Sequence, residues 1–250
     1  MTLLAVERIK LFTTRSPWWC ALVALAVTVG FAAMISASAP SAEFVTVAST
    51  EFGYRFGMAV VMVLAALAVT TEYRFGTIRT TFQAVPHRGA ALTAKATVVA
   101  LLAAFIGLLA GFGSWAVALV IEPEGDLALN SAAEWINVAG ISLVYGLAAI
   151  IAVAVGILVR HSAGAVAMLL IYALAVENLI QLIPTVGEKI FAWLPFNVAH
   201  RFIAGEGGMA PDGPPLSNSP LTPGWALAYF AGFALVMLAV AIGVAKKRDA

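Results

Sequence analysis

Residues Ala96–Ile121 read ATVVALLAAFIGLLAGFGSWAVALVI, an apolar run without one charged side chain. A helix needs about 20 such residues, each rising about 1.5 Å, to cross the hydrocarbon core of a bilayer. The run exceeds that minimum and is far longer than a buried strand, so it reads as a membrane-spanning helix. Outward from it, five more stretches satisfy the same criterion: Trp18–Ser38, Tyr54–Thr71, Ala133–Val159, Ala163–Ile183 and Pro223–Ala245. Arg55 stands at the entrance of the second.

The whole chain agrees with this reading. Its 250 residues are 62% hydrophobic and 11% charged, with a mean hydropathy of +0.98. Soluble domains carry about 25% charged residues, so the apolar surplus here must face lipid. The expected fold is all-α: one transmembrane domain over residues 1–250, with about six spans and no soluble domain or internal repeat. The net charge of +1 and the lack of a basic arm give no reason to expect nucleic acid. The single cysteine, Cys20, lies in the first apolar stretch and reads as packing, since one thiol forms neither an internal disulfide nor a cysteine-rich metal site. The basic segment Met1–Ser16 precedes an apolar run, Pro17–Ala37, long enough to span, unlike an ordinary cleavable signal.

Charge asymmetry predicts orientation. With a cytoplasmic N-terminus, the inner segments carry Arg8, Lys10, Arg15, Arg74, Arg79, Arg88, Lys95, Arg160, Lys246, Lys247 and Arg248, leaving only Arg55, Lys189 and Arg201 outside. Cytoplasmic loops are enriched in Lys and Arg, so both termini are expected inside. Most acids, Glu43, Glu51, Glu122, Glu124 and Asp126 among them, fall outside.

Within residues 1–16, Leu3–Phe12 reads as an interfacial helix. Ala5, Ile9 and Phe12 share one side, Glu7 and Lys10 another, and Trp18 and Trp19 follow as an aromatic belt. Two connecting segments are long. The outer one, 184–222, begins with Val186–Ala204, where Ile190, Trp193 and Leu194 would form the apolar face of an interfacial helix that Pro195 breaks. Its Gly205–Pro223 half reads as irregular loop. The inner one, 72–95, packs Glu72, Arg74, Arg79, His87 and Arg88 together. Gly76 permits a sharp turn out of the membrane helix, and Thr77–Val85 predicts a short surface helix ended before Pro86. On residues alone this segment is equally a docking helix for a soluble partner and a solvated basic loop.

Glu177, accompanied by Asn178 and Gln181, lies in the outer half of the fifth span. A carboxylate there costs about 2.5–3.5 kcal/mol on insertion scales. It reads either as a polar patch on a translocation path or as an interhelical clamp. His161-Ser162 reads as a cap of the fifth span, His200 as a lone histidine, and Gly107-x3-Gly111 as a site of close helix approach. There is no paired catalytic carboxylate, no intramembrane histidine cluster, no Gly-x-Ser-x-Gly elbow and no GxxxxGK[ST] phosphate loop. The expectation is therefore no catalytic residue, no metal and no cofactor in this chain.

Thr71–Arg79 (TEYRFGTIR), followed by Pro86-His87-Arg88 and Lys95, resembles the loop between spans two and three of ABC-2 type permeases, the membrane subunits of bacterial ABC exporters. Glu7–Ser16 (ERIKLFTTRS) is similar to the connecting helix that precedes their first span. The resemblance implies a bacterial inner-membrane exporter permease, paired with a second copy or a similar chain, with ATP and Mg bound by a separate ATPase. It also implies that Glu72, Arg74, Gly76, Thr77 and Arg79 line or shape the ATPase contact, and that the outer segment caps the exit path. Two other functions stay open. One is an ion-coupled secondary transporter, against which Glu177 counts as the only carboxylate well inside a predicted span. The other is a membrane anchor or sensor subunit that does not transport.

Overall fold

The structure is a computed structural model describing residues 2–85, 87–205 and 217–248. Among the described residues six helices are long and apolar enough to cross a membrane. A short helix, α1 (Leu3–Phe12), leads into the first span, α2 (Ser16–Ser38), which opens on Pro17, where a missing N–H costs nothing. A one-turn helix, α3 (Val47–Thr50), and a 3-10 turn at Glu51–Gly53 enter the second span, α4 (Tyr54–Arg74). After α4 come the short α5 (Thr77–Ala84) and the third and fourth spans, α6 (Arg88–Ile121) and α7 (Ala132–Val159). The fifth span, Ser162–Gln181, is α8 (Ser162–Ile171), a π-helical turn at Tyr172–Val176 and α9 (Glu177–Gln181). Then follow α10 (Gly187–Phe191), α11 (Pro195–Ala204) and the last span, α12 (Pro223–Arg248).

Local chemistry fixes several ends. Ser131 accepts the N–H of Glu134 at 3.3 Å, while the Glu134 carboxylate accepts the N–H groups of Asn130 and Ser131 at 2.6 and 2.7 Å; this capping box starts α7. Arg160 closes α7 in the left-handed region, φ 59°. His161 caps α8, as its place in the sequence predicts, its Nδ1 accepting the Gly164 N–H at 3.1 Å.

The bundle is built around α7, whose Ile141, Val144, Tyr145, Ala148, Ala149 and Ala152 are fully buried. It packs against α4, α6, α11 and α12. The α6 crossing is close because of Gly107 and Gly111: a Cβ at Gly111 would stand 2.2 Å from the Val138 carbonyl oxygen, and one at Gly107 2.9 Å from that of Ile141. Outward-facing Leu22, Leu101, Phe105, Met168, Leu235, Val236 and Val240 are exposed, the apolar exterior that a lipid-facing bundle needs.

One end of the bundle gathers basic residues. Lys10 and Lys95 meet Glu72 there, Arg160 lies over the Tyr73 ring at 5.0 Å, Arg248 reaches the Leu158 carbonyl, and Lys246 lies against Gly89. At the opposite end, Val45, Ala118 and Leu127 form a small separate core.

The segment between the fifth and last spans departs from the sequence expectation. Val186–Ala204 forms two helices, and Pro195 starts the second instead of only ending the first. The ring's fixed φ suits the first helical position. Helix α11 does not lie on a surface: it buries Phe196, Asn197, Val198, Ala199, Phe202 and Ile203 against α7 and α12. Of the expected apolar face, Ile190 and Trp193 are exposed. Pro86 and most of the expected Gly205–Pro223 loop lie outside the described residues.

Candidate functional site

At the basic end, α4 runs to Arg74 and the chain turns through Gly76, whose φ of 72° favours glycine over any residue with a Cβ. Helix α5 is amphipathic. Ile78 is buried, whereas Thr77, Arg79, Thr80 and Gln83 face out. Phe75 at the corner is 72% exposed, with the Arg74 guanidinium 5.6 Å from its ring centre. The corner therefore presents an apolar ring between Arg74 and Arg79.

Behind it lies an ionic cluster that joins three helices. Lys95 of α6 donates to Glu7 of α1 and, at 3.0 Å, to Glu72 of α4. Lys10 of α1 lies 2.9 Å from Glu7 and 3.4 Å from Glu72, and donates to the Thr81 hydroxyl of α5 at 3.0 Å. Lys95 and Glu7 side chains are 6% and 5% exposed. Two acids thus face two bases, and around Lys95 and Glu7 the site is nearly shut off from water, where charges must be paired. Burial acts to lower the Lys10 pKa, but Glu7 and Glu72 outweigh it and hold the pKa above the ordinary lysine value.

Helix α1 is oriented to match. Glu7 and Leu11 face the bundle, while Leu4, Ile9 and Phe12 are exposed. The five residues expected at the docking contact therefore divide. Arg74, Thr77 and Arg79 are on the surface, Gly76 makes the turn, and Glu72 points inward to hold the corner to α1 and α6. The parts of the cluster missed as site residues in the sequence are Glu7, Lys10 and Lys95. The available signal was Lys95 itself, a cation within the otherwise alanine-rich Ala90–Ala96.

Glu177, Asn178 and Gln181 do not converge. Glu177 is buried, and its two oxygens accept the Phe196 and Asn197 N–H groups at 3.1 and 2.9 Å. Those are early N–H groups of α11, which have no partner within the helix. Glu177 is thus the clamp between the fifth span and α11. Asn197 extends the clamp to the Phe191 carbonyl and to Asn218, whose amide donates to the Glu188 carbonyl. Asn178 and Gln181 are exposed, and Asn178 donates to Leu174 of its own helix. The π turn just before Glu177 puts an extra residue into the helix and resets which side faces inward.

A second buried carboxyl went unrecognised in the sequence. Glu51, grouped with the outer acids, is 2% exposed, and among the described residues neither oxygen has a hydrogen-bond partner. It neighbours Tyr145 electrostatically, in a region where hydroxyls link helices. The Thr28 and Tyr145 hydroxyls are 3.3 Å apart, Tyr145 donates to the Tyr54 carbonyl at 2.8 Å, and the Tyr54 hydroxyl meets His200 Nδ1 at 3.0 Å. No group of three His, Cys, Asp or Glu side chains that could hold a metal is found among the described residues.

These arrangements comprise an exposed corner of Arg74, Phe75 and Arg79, a buried ionic joint and two enclosed carboxyls. Comparison with protein-family models finds none that matches this chain, and comparison with curated proteins likewise finds no match.

Proposed function

We propose that this chain is the membrane permease of an ATP-binding cassette exporter, set in the bacterial inner membrane with its basic end in the cytoplasm. It works as two copies or beside a similar chain, and a separate ATPase subunit binds ATP and Mg. The exposed apolar side of α1 then lies in the lipid interface, and α11 stands near the exit. The observation that carries this reading is the mounting of the α5 corner. Arg74, Phe75 and Arg79 are presented outward, and the Glu7–Lys95–Glu72 cluster lies behind them. A partner that pushes on α5 loads an ionic joint shared by α1, α4 and α6, so three helices respond together. An exporter of this kind needs such a contact to bias its two global states.

The test is affinity recovery of the tagged chain from its native membranes, wild type beside Phe75→Ala/Arg79→Glu. The expected result is an ATPase with a phosphate-loop motif, recovered at near-equal amount with wild type and lost from a variant that reaches the membrane normally. Recovery of the chain alone across several detergents, or equal recovery with the variant, overturns the docking assignment.

Glu51 favours a second reading, an ion-coupled carrier, because a buried carboxyl with no hydrogen-bond partner among the described residues is a feature of such proteins. Transport abolished by an uncoupler, with no ATPase required, would move the assignment there.

A further inference from the structure

Glu51 lies just before α4, at the end opposite the basic cluster, and its carboxyl is 2% exposed. Among the described residues it forms no ion pair, and neither oxygen has a hydrogen-bond partner. The nearest base along the chain, Arg55, acts on Tyr54 and Glu177 instead. Residues 1, 86, 206–216, 249 and 250 include no Lys, Arg or His. The one amino group among them, that of Met1, is bonded to Thr2 at the basic end. No side chain of this protein therefore neutralises Glu51, and an unpaired carboxylate is strongly disfavoured in an apolar interior.

Hydroxyl oxygens are gathered at the same level. Gly53, in the same 3-10 turn, lies against Phe31 and the Thr28 carbonyl of α2. Tyr145 of α7 neighbours Glu51 electrostatically, and its hydroxyl stands 3.3 Å from that of Thr28. Each hydroxyl has one proton, and each has a shorter bond to a carbonyl: Thr28 to Ala24 and Tyr145 to Tyr54, both at 2.8 Å. With the two protons directed there, the oxygens turn lone pairs toward each other. Such a spacing suits two neighbouring ligands of one hard cation, which holds its oxygens at about 2.3–2.6 Å. On α6, Gly113 packs on Val29 of α2, and the adjoining Ser114 has a fully buried hydroxyl with no hydrogen-bond partner among the described residues.

We propose that Glu51 anchors a binding site for a small monovalent metal cation of the sodium type, with the Thr28 and Tyr145 hydroxyls as neutral oxygen ligands. One carboxylate balances one positive charge, and oxygen ligands suit a hard ion. A proton would also cancel the charge, but it would turn an unpartnered acceptor into an unpartnered donor, because no acceptor among the described residues lies within hydrogen-bond reach of either oxygen. A metal ion engages several oxygens at once. The site joins the 3-10 turn before α4 to α2 and α7, so its filling braces three spans together. The inference concerns what Glu51 binds, and it holds whether the ion is coupled to transport or only stabilises the bundle.

The test is thermal unfolding of the purified full chain in mild detergent, with sodium exchanged for choline at constant ionic strength. Above half-saturation, each tenfold rise in sodium should lift the wild-type apparent Tm by about 3–5 °C. Glu51→Gln, which melts level with or above wild type in choline, should show no such rise, and Glu43→Gln, at an exposed acid, should keep it. Tyr145→Phe removes one hydroxyl ligand and should need at least about fivefold more sodium for the same rise, an effect that serves if Glu51→Gln does not fold. A sodium response that survives in Glu51→Gln, or one unchanged in Tyr145→Phe, overturns the site. Absence of any sodium response in wild type also overturns it; a wild-type deficit against Glu51→Gln that widens as pH rises would then identify a proton as the occupant.

Discussion

Replacing Lys95 by Met removes the cation that Glu7 and Glu72 share, while keeping most of the volume of its stem. Lys95 and Glu7 are 6% and 5% exposed, so water does not readily take the ammonium's place. Lys10, 34% exposed, is then left facing two carboxylates. Breaking a buried ion pair by removing one partner costs about 3–5 kcal/mol. At about 2–4 °C per kcal/mol for a chain of this size, the apparent Tm should fall by about 6–20 °C. Lys10→Met is the contrasting case. Its site is partly open to solvent, and both carboxylates keep Lys95, so the loss should be about 0–1 kcal/mol, or about 0–4 °C. The double variant Glu7→Gln/Lys95→Met leaves Glu72 opposite Lys10, one charge for one, and should lose less than the two single losses added. Tryptophan fluorescence during heating of the detergent-purified protein reads all four. Refutation would be a Lys95→Met variant melting within about 2 °C of wild type, or a Lys10→Met variant as damaged as Lys95→Met.

Gly111→Val drives a Cβ to 2.2 Å from the Val138 carbonyl, so it should cost at least about 1–3 kcal/mol and broaden or abolish the monodisperse peak in size exclusion; an unchanged profile would contradict the α6–α7 crossing. Glu177→Ala strands the Phe196 and Asn197 N–H groups, at about 1–3 kcal/mol, and amide exchange across residues 195–204 should rise while α7 stays protected; unchanged exchange would show that the clamp is not needed. Glu51→Met removes a carboxyl that has no hydrogen bond among the described residues to lose, so the apparent Tm should stay level or rise; a fall of several degrees would reveal a partner for Glu51.

The six spans were legible because length and hydropathy alone decide them. Ala96–Ile121 reads as a span without reference to any other residue, and the structure extends it back to Arg88 along the same helix. The turn at Gly76 and the cap at His161 were legible for the same reason: each is a local event. What escaped is what depends on a distant partner. Glu7 and Lys95 are 88 positions apart, and neither pattern names the other. Glu177 was marked as costly, but what its carboxylate meets, the N–H groups of Phe196 and Asn197, could not be read from the span alone. Those become available only because Pro195 begins a helix, where the sequence reading saw mainly a break. Glu51 was grouped with the outer acids because it precedes the apolar run, and its burial was not foreseen. The 3-10 turn at Glu51–Gly53 instead carries it into the bundle against α2.

The joint between Glu7 and Lys95 also sets an order for biosynthesis. Synthesis runs from the N-terminus, so α1 is made well before α6 and its Glu7 first has only Lys10 on the same helix. Helix α4 then brings Glu72, a further negative charge, and the balance is completed only when Lys95 enters with the third span. A nascent chain halted before α6 therefore has α1 joined to α4 only through the half-exposed Lys10–Glu72 pair. Docking of α1 marks the moment at which the first three spans have found one another.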